Sequence, residues 1–142
     1  PDFTMCDKWE GGGFVESGEK RAILLLGIKG LGDNTYGTPP PPASACEDSQ
    51  GYHCDPFERQ VIFYDVDELA EVVQGTRDPW TVLPYQIWRP EEFYLRDAEG
   101  QTCGEVGGMF SDFEGHRVFM IEKGFGGHTN ENSAIVHVWS VI

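Results

Sequence analysis

Three apolar segments of this chain occur twice in the same order, and that recurrence constrains the fold more than any other feature. The passage CDKWEGGGFV, from Cys6 to Val15, is matched by CGEVGGMF, from Cys103 to Phe110. Each has a cysteine, an acidic residue, a glycine pair and two apolar residues, so Gly12-Gly13 answers Gly107-Gly108 at an offset of 95. A polar turn holding Gly18 then precedes Arg21-Ala22-Ile23-Leu24-Leu25, and a polar turn holding Gly115 precedes Arg117-Val118-Phe119-Met120-Ile121. Both runs end in Lys-Gly-apolar-Gly, at Lys29 to Gly32 and Lys123 to Gly126. The third segment, Gln60 to Val66, is answered by Ile135 to Val141.

Each repeat reads as strand, turn, strand, long loop, strand. The runs are short, rich in Val, Ile, Leu and Phe, and bounded by glycine and polar residues. Ile135, Val136, Val138, Trp139 and Val141 leave the last run almost no polar face, so it should be covered on both sides. The first repeat continues into Asp67 to Gln74, where Leu69, Val72 and Val73 fall at helical spacing before Gly75. Pro84 to Trp88 then alternates as a strand, limited by Pro90. The expected fold is all-β. It comprises antiparallel four-stranded sheet repeats, the first over 1–97 with a long loop at 33–58, the second and incomplete one over 98–142, in one structural domain.

The carriers of a family resemblance lie in these strands. Phe63-Tyr64-Asp65 with Asp67 and Leu69, the hairpin from Gly107 to Phe119, and His137-Val138-Trp139-Ser140-Val141 resemble the blades of secreted bacterial β-propeller proteins of the NHL and kelch kind. The resemblance covers the chain apart from the 33–58 loop, and it implies β-propeller-like blades in a partial propeller. Propellers close with four to eight blades, and fewer than two complete ones are present. The expected partners are therefore further copies of this chain, or the remainder of a longer parent, meeting it through Ile135 to Ile142 and the Trp88 strand.

Charge and cysteine content narrow the function. The chain has 24 acidic and 10 basic side chains, a net charge of -14. Such a surface repels phosphate backbones and anionic bilayers, so neither nucleic acid nor membrane insertion is expected. Four cysteines suit two disulfides in an extracellular or periplasmic compartment, and no pair has the C-x2-C spacing of a zinc site. Sequence proximity suggests Cys46 with Cys54, and equivalence between repeats suggests Cys6 with Cys103.

Catalytic signatures are missing. Ser44, Ser111 and Ser133 lack a G-x-S-x-G setting, and the four histidines form no H-E-x-x-H spacing. Asp33, Asn34, Asn130, Glu131 and Asn132 are the oxygen donors that a calcium ion would use, although their spacing fits no EF-hand. No other cofactor is implied. The candidate binding residues are Asp33, Tyr52, His53 and His128 on loops, with Trp80 and Tyr85 as proline-flanked aromatics for a protein or glycan ligand. The expected function is a non-catalytic extracellular recognition or self-assembly module. The competing expectation is a fragment of a secreted propeller enzyme with its active site at the ring mouth.

Overall fold

The computed structural model describes residues 3–37, 51–54, 56–93, 105–125 and 133–142. Strand β1 (Lys8–Ser17) turns through Gly18 and Glu19 into β2 (Lys20–Gly30), and Gly18 takes φ of 59°, a conformation that a residue with a Cβ adopts at a cost. After the small β3–β4 hairpin (Thr35–Gly37 and Gly51–His53) come β5 (Phe57–Asp65) and helix α1 (Val66–Val73). The Asp65 carboxylate accepts the Asp67 amide at 2.8 Å and caps that helix. Strand β6 (Gln86–Trp88) completes an antiparallel sheet in the order β1-β2-β5-β6. The second sheet is β7 (Glu105–Asp112), β8 (Arg117–Phe125) and β9 (Ser133–Ser140), antiparallel and in chain order. The all-β class and the short helix agree with the periodicities of the sequence.

Both sheets begin with a bulged hairpin. In β1 the register shifts between Trp9 and Gly11 opposite Leu26 and Gly27, and in β7 between Val106 and Gly108 opposite Ile121 and Glu122. Alternation then sends Ala22, Leu24, Leu26 and Val61 of the first sheet, and Val106, Met109, Val118 and Met120 of the second, into one shared core.

The space between the sheets is a wedge. At the β1–β7 side the backbones almost touch. A Cβ on Gly11 would overlap the Met109 amide nitrogen and lie 2.7 and 2.9 Å from the carbonyl carbon and Cα of Gly108. One residue pair further on, the Phe14 amide donates to Ser111 Oγ at 3.1 Å. At the β6–β9 side the gap is wide enough for Trp88, Phe93 and Trp139, whose rings meet edge to face at 5.4 to 6.0 Å. Glycine at the thin side and tryptophan at the thick side are the two residue sizes that such a wedge demands.

The disulfide differs from both expected pairs: Cys6 is bonded to Cys54. The sheet order gives the reason. Strands β1 and β5 flank β2 on either side, with Lys8 opposite Ile28 and Phe57 opposite Gly30. The residues just before β1 and just before β5 therefore reach the same end of β2. Gly30 leaves room for the bridge, since a Cβ there would lie 2.6 Å from the Cys54 Cβ and 3.1 Å from the Cys6 Cβ. Cys46 and Cys103, the other members of the expected pairs, lie outside the described residues.

Candidate functional site

Of the residues singled out in the sequence, Asp33 and Tyr52 are exposed at the β3–β4 hairpin and Trp80 and Tyr85 on the connection from α1 to β6. Tyr52 stands on β4, exposed, and meets Tyr36 across the β3–β4 hairpin at 5.0 Å in a T-shaped pair. Asp33 is exposed beside this hairpin. His53 faces inward instead, buried, with Nε2 at 2.6 Å from the Gly37 carbonyl oxygen. Trp80 and Tyr85 lie on the connection from α1 to β6, both exposed. The Tyr85 phenol is pushed above its ordinary value by partial burial and by the Asp65 carboxylate, so it is a neutral donor in this setting. His128 and the donors Asn130, Glu131 and Asn132 lie outside the described residues. Among the described residues no three His, Cys, Asp or Glu side chains converge as metal ligands would.

Two carboxylates that sequence reading passed over, Asp7 and Glu122, are held inside. Asp7 accepts from Lys29 Nζ at 2.9 Å, from the Gly30 and Thr4 amides at 3.1 Å each, and from Thr4 Oγ1 at 2.7 Å. Burial alone would raise its pKa, but these donors outweigh it and hold the carboxyl below its ordinary value. The cluster locks the segment carrying Cys6 onto the end of β2. In the second sheet, Glu122 is fully buried and takes the His137 Nε2 at 2.9 Å, while the His137 ring stacks on Trp139 at 5.4 Å. The His137 contact at Oε2 replaces part of the water that a buried carboxylate loses. Both groups tie one element to the next, which is a structural use.

The remaining distinctive feature is the outward face of β7-β8-β9. Strand alternation sends Met109, Ser111, Val118, Met120, His137 and Trp139 inward, and it leaves Phe110, Phe119, Ile121, Val136 and Val138 on the other side. Register places Phe110, Phe119 and Val138 in one row across the sheet, with Ile121 and Val136 in the next. Phe110 and Phe119 stack in parallel at 4.6 Å. The face is open: Phe110, Val136 and Val138 are 50%, 53% and 52% exposed. Among its described side chains, charge is confined to Asp112 and Arg117 at one end, 3.9 Å apart. In the corresponding outward row of the first sheet Ile62 is only 3% exposed and its neighbours Leu25 and Ile87 are half-buried.

The sequence signal for this face was the near-absence of polar residues in Ile135 to Val141. It suggested cover on both sides, and the fold supplies cover on one. No protein-family model, curated protein or solved structure matches the chain.

Proposed function

We propose that this protein is a non-catalytic, extracellular recognition and assembly module built of propeller-like blades, and that the outward face of β7-β8-β9 is its docking surface. The observation that carries this reading is the open exposure of Phe110, Val136 and Val138 on one sheet face, whose described side chains are otherwise charged only at Asp112 and Arg117, on a chain of net charge -14. Contiguous exposed apolar surface of this kind marks interaction sites in soluble proteins. The wedge between the sheets supports the blade reading. Blades stacked around an axis are close at their inner strands and apart at their outer ones, as β1 and β7 are against β6 and β9. The Cys6–Cys54 bridge suits an oxidising compartment.

The test is a paired measurement on Val136→Thr and Val138→Thr, which keep the β-branched shape and add a hydroxyl. If the face is an open docking surface, both variants unfold within about 0.5 kcal/mol of the parent and bind the apolar dye bis-ANS more weakly. A loss of stability of core size, about 2 kcal/mol or more, would show instead that these valines are packing residues and that the face is not a docking surface.

A further inference from the structure

We infer that the occupant of this face is the same face of a second copy, giving a weak two-fold dimer that stops at two. The inference rests on the docking surface proposed above and names its partner.

Charge decides the kind of partner. A strongly basic partner would be drawn to the carboxylates elsewhere on the chain and would gain little from Phe110, Phe119, Ile121, Val136 and Val138. A face whose one described ion pair is internally balanced fits another face that is equally charge-poor. Among the described residues the open sheet face that meets this requirement is this face itself. It is also self-complementary: a flat apolar sheet packs on its copy as the two halves of a sandwich do, about 10 Å apart. At the rim, Arg117 and Asp112 are more than one-third exposed, so in a two-fold arrangement each copy can offer its guanidinium to the other's carboxylate.

Closure at two follows from the asymmetry between the sheets. A ring or fibre would need the second face of each copy, the outward row of the first sheet, to be open as well. In that row Ile62 is 3% exposed and its neighbours Leu25 and Ile87 are half-buried, so it offers far less open surface than Phe110, Val136 and Val138 do. An isologous contact uses the open face once per copy and leaves none for a third.

Area sets the strength. Three strands at about 4.8 Å spacing and eight residues at about 3.3 Å rise span roughly 14 by 26 Å, or about 370 Å² per partner. A stable dimer buries about 800 Å² per partner, so this one should be reversible and weak. The net charge of -14 on each copy opposes it further, and salt screens that repulsion.

Sedimentation velocity of the disulfide-intact chain over a wide concentration range, with bis-ANS binding on the same samples, tests this. The expected result is a concentration-dependent monomer–dimer equilibrium that tightens with added salt. Val138→Glu should weaken it at least ~10-fold, because a carboxylate is placed in a row of the face that the contact desolvates. Val73→Lys, on the exposed side of α1, should leave it unchanged. A chain that stays monomeric throughout, but binds bis-ANS in a manner that Val138→Glu abolishes, overturns the second copy while the docking surface stands. A monomer without Val138-dependent dye binding overturns both. Species larger than a dimer overturn the closure argument.

Discussion

Replacing Gly11 by alanine should be among the most damaging single-methyl changes available in this protein. The added Cβ would overlap the Met109 amide nitrogen, with the Gly108 carbonyl carbon and Cα at 2.7 and 2.9 Å. All three are backbone atoms, so no rotamer change relieves the overlap. Ordinary contact begins near 3.4 Å, so β1 and β7 must part by about 1 Å, enough to forfeit a quarter to a half of the dispersion energy of the pairs that separate. Overpacking of this kind costs 1–3 kcal/mol, and here we expect the upper end, about 3 kcal/mol. For a chain of this length that is a fall in melting temperature of roughly 9 °C. Gly12→Ala is the control. Its Cβ would meet the Leu25 Cδ2 and the Leu24 carbonyl oxygen at 3.2 Å, and the first of these is the end of a side chain that can turn away. It should cost about 1 kcal/mol. Urea or thermal unfolding of the oxidised proteins measures both. If Gly11→Ala unfolds within about 0.5 kcal/mol of the parent, or no worse than Gly12→Ala, the close approach of the two sheets is not what holds them together.

The Cys6–Cys54 bridge spans 48 positions, for which the chain-entropy estimate is about 4 kcal/mol. The Cys6→Ser, Cys54→Ser double variant should lose about that much in denaturant unfolding, and an unchanged midpoint would discount the bridge. Asp7 has a folded pKa below its ordinary 3.8. Its contribution is therefore complete above that value and is lost as pH falls from there through the lower folded value. Asp7→Asn should flatten the stability–pH curve below pH 3.8 and cost about 3 kcal/mol at neutral pH by removing the carboxylate from buried Lys29. An acid limb as steep as that of the parent protein would move the effect to another carboxylate.

Much of the strand plan was legible because it is written in local periodicity. The Gly-polar turns fixed where β1 and β2, and β7 and β8, reverse direction. The apolar runs around Leu24, Ile62, Phe119 and Val138 are short and bounded by glycine and polar residues, and Leu69, Val72 and Val73 marked the one helical spacing that α1 occupies. The doubly apolar run from Ile135 to Val141 announced that something must cover it. None of these signals depends on distant residues, because each reflects the period with which side chains leave a backbone.

What was illegible depends on which ends of which strands meet. Nothing in the spacing of four cysteines says that β1 and β5 both flank β2, and only that adjacency brings Cys6 to Cys54 across Gly30. Nothing local sets Asp7 and Glu122 apart from the other carboxylates: the sheet order delivers Lys29 to one and the β8–β9 register delivers His137 to the other. The same holds for the open face of β7-β8-β9. The sequence determined that β9 is apolar on both sides. Tertiary structure alone decided that Trp139 would turn toward Trp88 and Phe93 in the wedge while Val136 and Val138 were left facing water. A strand's two faces are chemically similar here, and the choice between them belongs to packing against the other sheet.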